Sequence, residues 1–481
     1  MPQVRTRFAP SPTGSMHIGN LRTALYEYLY AKSKGGAFVL RIEDTDRARY
    51  TEGAVDIIYD TLRLTGIKHD EGPDVGGPYA PYVQSERKNE YLFCAERLIE
   101  RGAAYRCFCG KEEKGEDAKN AEQPAKYDRR CLRLSKEEIA ANLERGLPYV
   151  IRQLIPEGRT AFRDEVFGEI TVENAEIEDQ VLIKSDGLPT YNFANVIDDH
   201  LMDITHVMRG CEYLSSTPKY NLLYEAFGWD IPAYIHLPLI LNENGEKLSK
   251  RCGDASFNDL IERGFLPEAA LNYVALLGWA PPDNREIFTL EEMAEVFDVN
   301  GISKSPSKFD YKKLTWLNGE YFKNMDFEKF FGMAFPYIER AVKGGADKRK
   351  LAEMVKTRVS FLREIEEMLD FVDAAPPYDT ALYTHKKMKT NPETALSALE
   401  AVRDNAGRLA VFENAALYEA LTALAAEKGM KNSQLLWSVR TALSGKPTTP
   451  CGATELMELL GRGETFGRIE AAITKLKGEL C

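Results

Sequence analysis

The sequence of 481 residues contains no apolar run that reaches the roughly 20 residues needed to span a bilayer. Its first residues, MPQVRTRFAPSPTG, also lack the basic stretch followed by an apolar stretch that marks a secretory signal peptide. These absences argue against membrane and secreted classes. We therefore expect a cytoplasmic protein with no membrane partner.

Cysteine is scarce as well. The chain has eight cysteines, and they are not arranged like the dense disulfide framework of a small secreted domain. Internal repeats and low-complexity tracts are absent too. We expect most cysteines to be ordinary thiols in a reducing compartment.

The chain has no overall excess of positive charge, because its formal net charge is -12. At face value this argues against a nucleic-acid partner. The acidity is uneven, however, since residues 1–320 carry -13 and residues 321–481 carry +1. Basic clusters lie in the second part, KRK at 348–350 and HKKMK at 385–389. Such clusters are more often solvated surface, so charge alone decides nothing.

The first forty residues have the pattern of a βαβ unit. The stretch VRTRFAP alternates like a strand, GNLRTALYEYLYAKSKGG has helical periodicity closed by glycines, and AFVLRIEDTD reads as a buried strand that ends in carboxylates. A helix-and-strand insertion follows, the sheet pattern resumes at DITHVMRG and YIHLPLIL, and from about residue 324 the periodicity is helical. This order predicts an α/β fold with a Rossmann-like parallel sheet, an α+β insertion and an all-α C-terminal region.

The loop after the first strand is suited to an anion. Pro10 and Pro12 stiffen the loop, while Gly14 and Gly19 leave room for a ligand to approach the backbone. The helix that follows, expected from Asn20, points its N-terminus at the same place, and His17 could donate a hydrogen bond to a phosphoryl oxygen. The alternative is a rigid turn with a surface histidine.

A second loop, NGEKLSKRCGD at 244–254, follows the strand LPLIL. Lys247 and Lys250 flank Ser249 in a glycine-bounded segment, which suits a mobile cationic clamp on a polyphosphate. An exposed basic loop is the more common meaning of such a stretch taken alone.

The two loops together resemble the paired signatures of class I aminoacyl-tRNA synthetases. HIGN at 17–20 is similar to their His-Ile-Gly-His motif, with Asn20 as the departure, and KLSKR at 247–251 is similar to their Lys-Met-Ser-Lys-Ser motif, with Leu248 and Arg251 as departures. Further stretches resemble the bacterial glutamyl-tRNA synthetase family in order and along nearly the whole chain: RFAPSPTGSMHIGNLRTAL, RIEDTDRAR, DEGPDVGGPY, QSER, NVIDDHLMDITHVMRG and LSSTPKYNLLYEAFGW.

The resemblance implies that glutamate is activated with ATP and Mg²⁺ to an adenylate and then transferred to tRNA. His17, Lys247 and Lys250 would be the catalytic residues. It also implies that adenylate formation waits for tRNA. The residues expected to bind ATP are Ser11, Gly14, His17, Gly19, Lys247, Ser249 and Lys250.

A glutamate pocket needs cations for two carboxylates and an anion for the ammonium group. The resemblance assigns this pocket to Arg7, Ser11, Glu43, Tyr191, Asn195 and Arg209. It leaves open which arginine meets which carboxylate. The family often has tryptophan at the position of Tyr213. Tyrosine keeps an aromatic ring there but carries a hydroxyl group in place of the indole N–H.

A zinc site is one of two readings of the insertion. Cys107, Cys109 and Cys131 resemble a zinc site of some family members, and Tyr127 matches a tyrosine ligand of a shorter relative, which suggests a Cys3Tyr site. The usual histidine ligand is replaced by Arg133, which cannot bind a metal. Three ordinary thiols are the alternative.

The resemblance also divides the chain and names its macromolecular partner. Residues 1–84 and 191–241 would form the two halves of the catalytic domain, 85–190 the inserted domain that binds the tRNA acceptor end, and 242–323 the KLSKR loop and stem-contact domain. Residues 324–378 and 379–481 would form two helical anticodon-binding subdomains, with Arg358 at the anticodon. We expect a monomer that acts on tRNA-Glu.

Three alternatives stay open at this point. A non-discriminating synthetase would also glutamylate tRNA-Gln. A nucleotidyltransferase without tRNA would use His17 and the lysine loop but leave the helical third without a role. A non-catalytic tRNA-binding paralogue would typically have lost signature residues that are present here.

Overall fold

The computed structural model describes residues 3–46, 51–109, 127–248, 256–407 and 409–480. The chain divides into two compact units, Met1–Tyr311 and Lys312–Cys481. The first unit contains all the described strands, and the second is helical. This confirms the predicted α/β fold with an all-α C-terminal region.

The strands are β1 Arg5–Phe8, β2 Ala37–Leu40, β3 Ala104–Cys107, β4 Val150–Gln153, β5 Arg159–Asp164, β6 Gly168–Glu173, β7 Val181–Ile183, β8 His206–Gly210, β9 Ala233–Leu237, β10 Ile240–Leu241 and β11 Ser307–Lys308. The helices that begin in the first unit are α1 Ile18–Ser33, α2 Ala54–Thr65, α3 Lys88–Glu100, α4 Lys136–Glu144, α5 Tyr191–Leu201, α6 Thr217–Phe227, α7 Phe257–Glu262, α8 Pro267–Ala275, α9 Leu290–Val296 and α10 Tyr311–Asn324.

Parallel strands form the centre of the first unit. β1 pairs with β2, and β8 pairs with β9, both in parallel. The two pairs meet where Thr205 N donates to Arg5 O at 3.0 Å. Since the carboxyl ends of parallel strands share one edge of a sheet, the loops after these four strands converge there.

The segment between the two parallel pairs contributes to more than one sheet. β3, β4 and β7 form a separate antiparallel sheet. β5 and β6 form a hairpin that extends the β8–β9 sheet, because Asp164 at the end of β5 bridges in parallel to Tyr234 of β9. The hairpin is therefore part of the same sheet as β8 and β9.

Helix α1 crosses from the loop after β1 to the start of β2. It begins two residues earlier than the sequence indicated, because the His17 side chain caps it by accepting from Gly19 N. It ends where Gly36 N donates to Ala31 O at 2.8 Å, with Gly35 in the left-handed region at φ 61°. Glycine adopts that conformation without steric cost, so the chain can reverse into β2.

The second unit is a set of helices packed on one another through buried leucines, valines and alanines. Its longest helix contains Gly461 at φ 74°, ψ 167°, which kinks it. Among the described residues, none of the helices combines the length and the apolar composition that crossing a membrane requires. The further helices are α11 Phe327–Ala341, α12 Lys348–Lys356, α13 Glu364–Leu369, α14 Pro392–Ala406, α15 Asn414–Glu427, α16 Asn432–Ser444 and α17 Ala453–Leu480.

Candidate active site

A cleft of about 460 Å³ opens at the carboxyl edge of the parallel strands. A smaller cavity of about 220 Å³ adjoins it and shares several of its lining residues. The predicted site residues that line the main cleft are Arg7, Ser11, His17, Gly19, Glu43, Tyr191, Arg209 and Lys247. The cleft thus brings together side chains that are up to 240 positions apart in the sequence.

His17 stands between the start of α1 and the second signature loop. Its Nδ1 accepts from Gly19 N at 2.9 Å, so that nitrogen carries no proton. Its Nε2 lies 3.1 Å from the carbonyl oxygen of Leu248, to which it donates. The same imidazole therefore caps the helix and contacts the last described residue of the lysine loop.

The glycines of the first loop serve two different needs. Gly14 has φ 110°, a conformation that other residues rarely adopt. A Cβ on Gly19 would lie 3.1 Å from His17 Nδ1, so a side chain there would press on the capping imidazole. Ser11, between the two prolines, is exposed at the mouth of both cavities.

The second loop is described only as far as Leu248. Lys247 is exposed, and its Nζ lies 3.4 Å from Glu212 Oε1, within reach of the cleft. Ser249 and Lys250, predicted to bind ATP, lie outside the described residues. The loop begins with the bridge between Leu241 and Lys247, which holds this lysine beside the strand ends.

Arg7 is buried and already paired. Its Nη1 lies 3.1 Å from Glu27 Oε1, and its Nε lies 3.0 Å from Asp199 Oδ1. These carboxylates hold the pKa of the Arg7 guanidinium above its usual value although burial opposes them. Arg7 is therefore a fixed cation in the wall of the cleft.

The ion pairs of Arg7 belong to a larger buried network. Arg41 pairs with Asp199 at 2.8 Å and with Glu43 at 3.2 Å. Among the described residues the network has three guanidinium groups and four carboxyl groups: Arg7, Arg41, Arg87, Glu27, Glu43, Asp198 and Asp199. Burial raises the pKa of the Glu27 carboxyl to about 8, although Arg7 opposes this.

Two polar atoms in or beside this network are unsatisfied. Within the described parts of the chain, Glu43 Oε2 and Asn195 Nδ2 are buried and make no hydrogen bond. Burial raises the pKa of Glu43 to about 7, against the opposing effect of Arg41 and Arg7. Because an unmade buried hydrogen bond costs about 1–3 kcal/mol, a bound ligand that supplies the partners gains that free energy.

Arg209 lies across the cleft in an aromatic setting. Its guanidinium stacks near the rings of Tyr213 at 5.4 Å and Tyr220 at 4.6 Å. Tyr191 stands 5.7 Å from Tyr213, ring centre to ring centre, and completes the wall. Tyr213, at the position that is often tryptophan in the resembling family, therefore packs against both Arg209 and Tyr191.

The three predicted cysteine ligands come together. The sulfur atoms of Cys107, Cys109 and Cys131 lie within 4.8 Å of one another, and those of Cys109 and Cys131 are 3.4 Å apart. The Tyr127 hydroxyl lies 3.2 Å from Cys107 Sγ and 3.6 Å from Cys109 Sγ. Burial raises the pKa of Cys107, but hydrogen bonds from Tyr127 and Arg152 outweigh it, so the pKa of this thiol is lowered.

Arg358 belongs to the second unit and is described there by itself. It is exposed and follows α12, with its backbone N donating to Val355 O at 2.9 Å. Its side chain is therefore available at the surface.

Sequence reasoning did not identify Glu27, Asp198 or Asp199 as part of the site. A signal existed for two of them, since Asn195, Asp198 and Asp199 are spaced i, i+3 and i+4 and so share one face of α5. For Glu27 there was none, because a glutamate in a helix is ordinarily a surface residue. In the structure its buried carboxylate accepts from Arg7 N and Met208 N and pairs with the Arg7 guanidinium.

Comparison with known proteins places this geometry in a family. Residues 3–316 match the model for tRNA synthetases class I (E and Q), catalytic domain, and residues 327–473 match the model for an anticodon binding domain. The glutamate–tRNA ligase of Lachnoclostridium phytofermentans is 56% identical over 490 residues, covering 100% of both chains. That of Clostridium botulinum is 55% identical over 481 residues, covering 99% of both.

Among solved structures, a glutamate tRNA ligase from Elizabethkingia meningosepticum in complex with its amino acid is similar, with a TM-score of 0.87 and 38% identity, covering 98% of this chain and 100% of that one. The agreement extends over the catalytic and the helical regions alike. The chain therefore belongs to the glutamate–tRNA ligase family of class I aminoacyl-tRNA synthetases.

Proposed function

We propose that this enzyme activates L-glutamate with ATP, forming glutamyl-adenylate and pyrophosphate, and transfers the glutamyl group to the 3′-terminal adenosine of tRNA-Glu. The observation that carries the assignment is the cleft itself. It presents two arginines, Arg7 and Arg209, together with a buried acceptor, Glu43 Oε2, that has no partner among the described residues. Glutamate has two carboxylates and one ammonium group to match them.

The position of Glu43 supports the ammonium position. Glu43 is the carboxylate of this network that lines the cleft, and burial raises its pKa to about 7. An ammonium group beside Glu43 would favour its ionised form and satisfy Oε2. Buried carboxylates are strongly stabilised by such pairing because unpaired buried charge is costly.

The start of α1 supports the proposed position of ATP. A helix N-terminus favours phosphate groups, and His17 and Lys247 line the same cleft. In the reaction the α-carboxylate of glutamate attacks the α-phosphorus, and the bond to the bridging oxygen breaks, so pyrophosphate leaves. We assign His17, Lys247 and Lys250 to stabilising the charge that develops, and Mg²⁺ to binding with ATP.

Charging assays with labelled glutamate and separate tRNA-Glu and tRNA-Gln transcripts test this assignment. Charging of tRNA-Glu alone is the expected result for a discriminating enzyme. Charging of both would establish a non-discriminating enzyme, whose product on tRNA-Gln needs an amidotransferase. Charging of neither would refute the proposal. Adenylate formation with a different small molecule would then favour the nucleotidyltransferase, and no adenylate formation would favour the non-catalytic paralogue.

We further propose that Cys107, Cys109, Cys131 and Tyr127 hold a zinc ion. Four donors at these separations suit a closed tetrahedral site, in which zinc would supply cross-linking of the inserted region. We expect one equivalent of zinc in untagged protein, and Cys109→Ser should lose the metal and lower the melting temperature. Cys451→Ser, in the other unit, is the matched control. Zinc well below one equivalent would favour three ordinary thiols.

The remaining assignments rest on the same function. We propose the domain limits given above, with the acceptor end of the tRNA on residues 85–190 and the anticodon at the helical region that includes Arg358. A monomer in the cytoplasm, where tRNA is charged for translation, is the expected state. Light scattering of the purified enzyme with and without tRNA measures the subunit number.

A further inference from the structure

Three buried side chains form a series of hydrogen bonds that ends at the cleft. His236 of β9 lies between Asp164 of β5 and Arg209 of β8. Asp164 Oδ2 accepts from His236 Nδ1 at 2.6 Å and from the backbone N of the same residue at 3.0 Å. On the other side of the ring, Arg209 Nε lies 3.2 Å from His236 Nε2. The side chains of Asp164 and His236 are both fully buried.

These hydrogen bonds determine which nitrogen of the His236 imidazole carries the proton. Asp164 Oδ1 accepts from the backbone N–H groups of Val166 at 2.9 Å and Phe167 at 2.7 Å, so the carboxylate is held as an acceptor at both oxygens. His236 Nδ1 must then carry the proton. Arg209 can only donate, so Nε2 must be the acceptor and carry none. Burial, which lowers the pKa of His236, favours the same neutral ring.

Arg209 differs from Arg7 in what holds it. Arg7 is paired with the carboxylates of Glu27 and Asp199. The partners of Arg209 are neutral, namely His236 Nε2 and the hydroxyl of Thr217, which accepts from Nη2 at 2.8 Å. In the part of the chain that the structure describes, no carboxylate forms an ion pair with Arg209.

The consequence is an arginine that is oriented but not neutralised. The negative charge of Asp164 is kept one imidazole ring away from the guanidinium. The two hydrogen bonds use Nε and Nη2, and Arg209 lines the cleft, so Nη1 is left to a ligand. A carboxylate in the position of His236 would hold the arginine equally well but would compete with the carboxylate of a substrate.

We propose that His236, held by Asp164, is a positioning residue that aims Arg209 at a substrate carboxylate while keeping its charge uncompensated. This inference rests on the proposed function, because it takes glutamate as the occupant of the cleft. His236 and Asp164 then contribute to the affinity for the acidic amino acid and not to ATP binding.

The test compares His236→Gln with His236→Glu, which differ in charge but hardly in size. Glutamine keeps a neutral acceptor for Arg209, so we expect the KM for glutamate in tRNA charging to rise less than threefold. Glutamate at this position should raise that KM at least tenfold. In both variants kcat and the KM for ATP should change less than threefold.

Two results would overturn the positioning role. One is an equal KM for glutamate in the two variants, and the other is a KM for ATP that rises in parallel with the KM for glutamate. If His236→Glu does not melt cooperatively, Thr217→Val, which removes the acceptor of Nη2, should raise the KM for glutamate alone, and no change there would also refute the role. Wild-type enzyme that charges no tRNA with glutamate would instead refute the proposed function.

Discussion

Glutamate binding should weaken in mild acid because of one buried carboxyl group. Burial raises the pKa of Glu43 to about 7, and its Oε2 has no partner among the described residues. An ammonium group that binds there favours the ionised form and so releases the proton. Below pH 7 the binding free energy must include the removal of that proton, whereas above pH 7 the carboxylate is already ionised.

The expected size follows from the ionised fraction. With a pKa of about 7, roughly one tenth of the free enzyme has Glu43 ionised at pH 6 and nine tenths at pH 8, so the Kd for glutamate should fall about tenfold between these values. The ammonium group of glutamate stays protonated over this range. The change therefore belongs to the protein.

Isothermal titration calorimetry at pH 6, 7 and 8, in two buffers of different ionisation enthalpy, measures both the Kd and the protons released. About half a proton should be released at pH 7. Glu43→Gln should bind more weakly and lose the pH dependence. Asp44→Asn, a matched change at the half-buried neighbour that accepts from Ser85, should keep it. A Kd that changes less than twofold, or an unchanged slope in Glu43→Gln, would refute the reasoning. The KM for glutamate in charging must follow the same curve.

Three further predictions concern other parts of the molecule. His17→Ala should lower kcat at least a hundredfold while changing glutamate affinity little, because its imidazole acts on the charge of the transition state; equal losses in both would make it a structural cap. Asp199→Asn should destabilise the fold by about 3–5 kcal/mol in urea titrations, since it removes the buried carboxylate that pairs with both Arg7 and Arg41, whereas Asp60→Asn in an exposed pair should cost less than about 1 kcal/mol. Arg358→Ala should raise the KM for tRNA and reduce its salt dependence with pyrophosphate exchange in saturating tRNA unchanged; an unaltered KM would contradict the anticodon assignment.

The fold was predictable where short-range pattern decides it. The alternation before Pro10 and the helical spacing of the next stretch gave β1 and α1, since strands and helices of this kind are set by the face they bury. Eight of the site residues expected from the resemblance line the cleft, whereas Gly14 and Asn195 do not line it and Ser249 and Lys250 lie outside the described residues. The start of α1 differed by two residues because the side chain of His17, a residue type that seldom caps a helix, accepts from Gly19 N.

What the sequence could not give were contacts that depend on distant pairings. Asp164 meets His236 across 72 positions, and this contact exists only because β5 joins the sheet beside β9. The contacts of the buried Glu27 carboxylate are similarly hidden from the sequence, since its partners are backbone N–H groups of β1 and β8 and the guanidinium of Arg7. Periodicity reports which face of an element is buried, but it does not report which polar groups on the buried face find each other.

The hairpin of β5 and β6 makes the inserted region inseparable from the rest of the first unit. Deleting residues 85–190 and joining the ends would leave β9 as an exposed sheet edge prone to pairing with other chains. The deletion would also take away the carboxylate of Asp164, which holds His236 behind Arg209. The hairpin therefore supports a wall of the cleft, and any minimal version of this enzyme has to retain it.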